Sequence, residues 1–184
     1  MKIRLHAFEP VSRANGPGQR AVVWFQGCSL GCRSCFNPAT HDPQGDYEAD
    51  TETLAAETLA LGAKIEGISI SGGEPFQQSD ALLDLLDCLA DSHLSRLVFT
   101  GYTMPEIQCF PLGSSLLRQI DVLIAGRYAA AQHVGQALLG SANQQIRTPR
   151  PPSAPPPTAF CGSPCTIRSS GRFRPGRTRC SGCG

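Results

Sequence analysis

The sequence predicts an α/β fold built on a mainly parallel sheet. Three observations lead there. Short β-branched or aromatic runs alternate with segments of helical period. Three of the strand-like runs end in glycine-bearing loops: Gly27-Cys28, Gly72-Gly73 and Thr100-Gly101. About five strands can be counted, whereas a closed eight-stranded β/α barrel needs about 250 residues. The 184 residues therefore suit a partial, incomplete barrel of about five mainly parallel strands, followed by an irregular C-terminal tail. In such sheets ligands bind beyond the carboxyl ends of the strands.

Taken in order, Lys2 to Phe8 alternates polar and apolar residues and reads as a strand. Asn15-Gly16-Pro17-Gly18 is a turn. Arg20 to Gln26 (RAVVWFQ) is a mostly buried strand, with Trp24 expected in the core. Residues 27–46 hold three Gly, two Pro and three Cys, and a loop of that length is usually functional. A helix is expected from about Thr51 to Leu61, with Leu54, Thr58 and Leu61 on one face. Gly67 to Ser71 is a short apolar strand. Ser79 is a candidate N-cap for the next helix, where Leu82, Leu85, Leu86 and Leu89 follow the i, i+3, i+4, i+7 pattern. Cys88 on that helix, and Cys109, read as small buried residues. Arg96 to Thr100 is a strand, Pro105 to Leu117 a weak helix and Ile120 to Ala125 a last strand. Tyr128 to Leu139 is ambiguous between helix and strand.

The formal charge of +1 hides a division. Residues 1–146 carry 9 Lys and Arg against 15 Asp and Glu, a net of −6, whereas residues 147–184 carry seven Arg and no acid. The balance excludes a strongly basic nucleic-acid binder. No apolar run is long enough to span a bilayer, and the first ten residues lack a signal-peptide core. No membrane or nucleic-acid partner and a cytoplasmic location are thus expected. At that address nine cysteines point to metal binding, because cytosolic disulfides are rare.

Cys28, Cys32 and Cys35 lie within eight residues at C-x3-C-x2-C spacing, so one short loop can wrap one metal centre. Three thiolates suit an iron–sulfur cluster, which takes up to four. Three cysteines would leave one iron of a [4Fe–4S] cube open. His41 is available as a fourth ligand, so a zinc site is an alternative. The second motif is Gly72-Gly73-Glu74-Pro75 at a strand end.

With that pair of motifs the sequence resembles the radical S-adenosylmethionine (SAM) glycyl-radical-enzyme activating proteins. Within them it is similar above all to the anaerobic ribonucleoside-triphosphate reductase activating proteins. Five segments carry the resemblance: Asn15-Gly16-Pro17-Gly18 with Arg20, Gly27-Cys28 through Asn37, Gly67 through Pro75, Phe99-Thr100-Gly101-Tyr102, and Gly140-Ser141-Ala142-Asn143-Gln144. The resemblance implies a [4Fe–4S] cluster on Cys28, Cys32 and Cys35 whose fourth iron chelates the methionine moiety of SAM. It implies reductive cleavage of SAM to a 5′-deoxyadenosyl radical, which abstracts a hydrogen from a glycine of a partner. The partner would be a glycyl radical enzyme, with anaerobic ribonucleoside-triphosphate reductase first and pyruvate formate-lyase second, and a flavodoxin- or ferredoxin-type electron donor is implied. No catalytic side chain is expected, since the cofactor carries the chemistry. Ser34, Cys35 and Phe36 are expected to line the cofactor. Gly72 and Gly73 would let the backbone approach it, Glu74 would hold its ammonium group, and Thr100 and Gly101 would touch its ribose or carboxylate.

Three features depart from the family pattern. Ser34 stands before the third cysteine where the radical SAM motif commonly has an aromatic; the reductase activators share a small residue there, with the aromatic after the cysteine as in Phe36. Ala125 stands where the family usually has Asp before Gly126, and residues 147–184 do not continue as ordinary folded sequence. We divide the chain into 1–146, the radical SAM domain, and 147–184, an Arg/Pro/Cys-rich tail read as disordered or frame-shifted. Cys161, Cys165, Cys180 and Cys183 would offer a second metal site if that tail is a selected segment. The competing functional classes are a non-enzymatic iron–sulfur electron-transfer or partner-binding protein and a zinc-binding regulator.

Overall fold

A computed structural model of the chain describes residues 1–149 except Asp46 and Ala137, and of Gln136 only the backbone. The readings made for the tail, including the Cys161, Cys165, Cys180 and Cys183 set, lie outside the described residues.

All five expected strands are present, and two short ones join them in a seven-stranded sheet of order β3-β1-β2-β4-β5-β6-β9. Its centre is parallel: β2 (Arg20–Phe25), β4 (Gly67–Gly72), β5 (Ser95–Thr100) and β6 (Val122–Ala125). Antiparallel strands flank it. On one side lie β1 (Lys2–Ser12), which runs four residues beyond the alternating segment, and β3 (Tyr47–Asp50). On the other lies β9 (Gln145–Arg147), which pairs with β6 across the compositional break near Ile146. The Tyr128–Leu139 ambiguity resolves as a 3-10 turn and a separate hairpin, β7 (His133–Gln136) with β8 (Leu139–Ser141).

Side-chain alternation assigns the two faces of the sheet different work. Ala21, Val23 and Phe25 of β2, Ile68 and Ile70 of β4, and Val98 of β5 join one buried core. That core includes Leu54 and Ala55 of α1 (Thr51–Ala60), Leu82, Leu85 and Leu86 of α2 (Ser79–Cys88), Ile107 of α3 (Met104–Gln108) and Leu116 of α4 (Gly113–Gln119). The opposite face presents Trp24, Ser71 and Phe99 to a cavity. Trp24 is therefore half-buried in a cavity wall rather than in the core.

Local departures have local causes. Ser79 is the first residue of α2, not its cap. A 3-10 turn, Pro75–Gln78, precedes it, and Glu74 caps that turn by accepting from the Phe76 N–H. The weak helix breaks into α3 and α4 around Pro111 and Gly113; α3 is opened by a Thr103–Glu106 capping box. Cys88 and Cys109 are exposed, contrary to expectation. Cys88 falls beside the leucine stripe of α2, and Cys109 caps the end of α3.

At the opposite ends of the parallel strands from the site, Arg20 is buried and bridges three elements. It donates to Ser69 Oγ (2.8 Å), Ile68 O (2.7 Å), Ser95 O (2.7 Å), Ser95 Oγ (2.9 Å) and Pro17 O (3.3 Å). Ser69 Oγ in turn donates to Asn15 O at 2.6 Å. This fixes the Asn15–Gly18 turn against the cavity side of the sheet, and Asn15 lines the cavity. No helix among the described residues is long and apolar enough to cross a membrane.

Candidate cluster and cofactor site

The parallel register brings the strand ends level, Phe25 beside Gly72 and Thr100 beside Ala125. The exits hydrogen-bond to one another: Gly73 N to Phe25 O at 2.8 Å, Glu74 N to Gly27 O at 2.9 Å and Gly126 N to Thr100 O at 3.0 Å. The loops thereby surround one cavity of about 540 Å³. Its lining includes Cys28, Cys32, Cys35, Phe36, Gly72, Gly73, Glu74, Thr100 and Gly101. Nine of the ten expected site residues thus converge. The exception is Ser34, which is exposed and absent from the lining.

The cysteine loop is closed at its base by Gly27 N to Thr40 O (2.8 Å) and Cys28 N to His41 O (3.1 Å). Between its second and third thiols the chain makes a tight turn, with Cys35 N bonded to Cys32 O at 3.2 Å. Ser34 sits in the left-handed region there, φ 60°, and so shapes the turn from outside. Asn37 N donates to Cys35 Sγ at 3.4 Å. All three thiols are free and half-buried. Burial pushes the Cys28 thiol up, while the Leu30 N–H pulls it down.

Glu74 is the most deeply placed polar group of the site, 1% exposed. Its Oε1 accepts from Phe76 N (3.0 Å) and Thr100 Oγ1 (2.8 Å), and its Oε2 accepts from Gly101 N (2.8 Å). Burial pushes its carboxyl up to about 7, although these bonds and the Arg127 charge favour the ionised form. The carboxylate thus ties the end of β4 to the end of β5 and keeps one acceptor position on Oε2.

The glycines answer first to the protein's own backbone. A Cβ on Gly72, whose φ is +98°, would stand 2.5 Å from Phe25 N and O. One on Gly73 would overlap Gly27 O and crowd Thr40 O at 3.0 Å. Both lie where the cysteine loop leaves the sheet, so the Gly-Gly pair lets that loop sit against β4.

Phe36 is 58% exposed. Its ring meets Tyr128 at a 4.3 Å centroid distance and His133 at 5.8 Å, which connects the cysteine loop to the β7–β8 hairpin. Leu138, Leu139 and Gly140 of that hairpin, with Gln144, complete the lining. Gln144 Oε1 accepts from Gly140 N and Ser141 N, and its Nε2 donates to Gly126 O. Gly140–Gln144 belongs to the resemblance but has no expected place in the site; its run of small residues ending in a glutamine amide is the available signal.

The chemistry of the donor set fits an iron–sulfur cluster: three free sulfurs on one loop, with a cavity beside them. His41, the alternative fourth ligand, lines a second cavity that Cys28 also borders.

Comparison with known proteins agrees with this geometry. The family model described as a 4Fe-4S single cluster domain matches residues 14–147. The anaerobic ribonucleoside-triphosphate reductase-activating protein of Vibrio cholerae is 30% identical over 149 residues, covering 77% of this chain and 95% of that protein. The pyruvate formate-lyase-activating enzyme of Clostridium pasteurianum is 35% identical over 104 residues, with coverage of 54% and 44%. The pyruvate formate-lyase 1-activating enzyme of Escherichia coli K12 is 27% identical over 146 residues, with coverage of 77% and 58%. The chain thus spans nearly all of the first relative and about half of the other two. Among solved structures, QueE from Escherichia coli overlaps 56% of the chain and 54% of its own, with a TM-score of 0.45 and 22% identity.

Sheet, three-cysteine loop and matched model define a [4Fe–4S] single-cluster protein of mixed α/β class. The chain belongs to the radical SAM glycyl-radical-enzyme activating protein family. Membership makes it an activating enzyme whose cofactors are a [4Fe–4S] cluster and SAM.

Proposed function

We propose that the protein cleaves SAM reductively at a [4Fe–4S] cluster held by Cys28, Cys32 and Cys35 and generates a glycyl radical on a partner enzyme. Anaerobic ribonucleoside-triphosphate reductase is the first partner and pyruvate formate-lyase the second, with a flavodoxin- or ferredoxin-type protein supplying the electron. One observation carries this reading: the three thiols share a cavity with Gly72, Gly73, Glu74, Thr100 and Gly101. When bound, the cluster and SAM supply the one-electron chemistry and the radical that removes hydrogen.

The chain's residues bind, orient and shield. The Gly72–Gly73 backbone forms the wall beside Gly27, and Glu74 offers its remaining Oε2 acceptor position to the ammonium of SAM. Thr100 and Gly101, fixed by Glu74, present the strand end to the ribose or carboxylate. Leu30, Phe36, Leu138 and Leu139 supply apolar lining that excludes water. Ser34 serves the turn between Cys32 and Cys35. We read the sheet as an incomplete β/α barrel, its four parallel strands supporting the site and its antiparallel edges ending the curvature. Reconstituted protein mixed with SAM, reductant and each candidate partner tests the assignment by electron paramagnetic resonance. A SAM-dependent glycyl radical on the reductase, lost in Cys32→Ser, is expected; a turnover-competent protein that produces no radical on either partner overturns it.

A further inference from the structure

The Gly72–Glu74 motif is followed by Pro75-Phe76-Gln77-Gln78, a turn whose side chains reach three different elements. Gln78 clasps the sheet, accepting from Arg4 N (2.9 Å) and donating to Arg4 O (3.0 Å) and Gln26 O (2.9 Å). Gln77 makes the corresponding clasp on the cysteine loop. Its Oε1 accepts from Ser29 N at 3.1 Å, and its Nε2 donates to Ser29 Oγ at 2.8 Å and to Tyr102 Oη at 3.1 Å. All the polar hydrogens of the amide are used.

Ser29 stands between Cys28 and the free arc of the loop. Tyr102 is itself held, edge-on to Phe110 at 4.9 Å and beneath the Arg127 guanidinium at 5.6 Å. Arg127 is paired with Glu106 at 3.0 Å. Gln77 therefore joins the arc between the first and second cysteines to a braced anchor outside the loop. Gln77, Ser29 and Cys28 also line a second cavity of about 310 Å³, so the amide stands beside the approach to Cys28 from that side.

We propose that Gln77 is a positioning residue for the cluster: by fixing Ser29 it holds Cys28 in ligating geometry and slows loss of iron. This rests on the reading that Cys28, Cys32 and Cys35 carry the cluster. Residues that orient metal ligands typically alter affinity about 10- to 100-fold when removed, and because Gln77 is exposed its replacement leaves the fold nearly unaffected.

The test uses the full chain, anaerobically reconstituted, as wild type, Gln77→Met and Gln77→Glu, with iron release to a strong chelator followed optically. Methionine keeps length and removes every hydrogen bond. Glutamate still accepts from Ser29 N, and the Ser29 and Tyr102 hydroxyls can turn to donate to it. The expected result is iron loss about tenfold faster in Gln77→Met, a near-wild-type rate in Gln77→Glu, and identical melting of the metal-free proteins. Equal rates in wild type and Gln77→Met overturn the proposal, as does a Gln77→Glu rate matching Gln77→Met. A wild-type chain that takes up no iron overturns instead the parent reading of the cysteines.

Discussion

The metal-free Glu74→Gln variant is expected to gain stability relative to the parent chain as pH rises from 5 to 8. Glu74 is 1% exposed, and burial raises its carboxyl from 4.5 to about 7. The sign follows from proton linkage. Below pH 4.5 the group is neutral in both states and adds no penalty. Between 4.5 and 7 the unfolded chain ionises while the folded chain keeps its proton, so folding stability falls; above 7 the loss is complete. At 1.36 kcal/mol per pH unit the gap amounts to about 3 kcal/mol. Glutamine removes this titration but sets an N–H against Gly101 N–H, a cost of about 1–3 kcal/mol that does not depend on pH. The variant should therefore be weaker than the parent at pH 5 and approach or exceed it at pH 8. Urea unfolding of both proteins at each pH, with unchanged slopes, measures the difference. A variant-minus-parent stability that is the same at both pH values would refute the buried-carboxylate argument.

Other substitutions probe the remaining supports. Gly72→Ala combines left-handed strain of about 1–2 kcal/mol with overpacking of about 1–3 kcal/mol, and chemical denaturation should show a loss within the sum. Gly73→Ala pushes on Gly27 O and Thr40 O, so reconstitution should yield less iron per chain even where the circular dichroism spectrum is retained. Arg20→Met strands the Ile68 and Ser95 carbonyls it now satisfies and should lower stability by about 2–4 kcal/mol, read as a lower thermal midpoint. Phe36→Ala removes the Tyr128 ring contact, worth about 0.5–1.5 kcal/mol, and should weaken SAM binding in calorimetry more than it lowers the melting temperature.

Much of the architecture is legible in the sequence because the parallel strands are buried and dense in β-branched residues. Val22-Val23 and Ile68-Ser69-Ile70 announce themselves, and the leucine stripe of α2 gives its buried face directly. The edges are less readable. Tyr47–Asp50 and Gln145–Arg147 are short, polar and largely exposed, so their pairing depends on a neighbour rather than on their own composition. In the site, glycines and cysteines show their position through spacing, yet the reasons differ from those expected. Gly72 and Gly73 are demanded by Phe25, Gly27 and Thr40, which are distant in sequence. Glu74 is consumed mainly by Phe76, Thr100 and Gly101. Trp24 looks like core because it lies within a buried strand, but alternation turns it to the cavity face. Gln77 carries no sequence signal, since an amide's partners are set only once the loops have met.

The most direct measurement is SAM cleavage by anaerobically reconstituted protein under a strong reductant, quantified as 5′-deoxyadenosine beside iron content. The account predicts about four irons per chain, steady product formation, and loss of both when any one of Cys28, Cys32 or Cys35 is replaced by serine. A wild-type chain that holds its full iron complement and binds SAM, yet forms no 5′-deoxyadenosine, would contradict it.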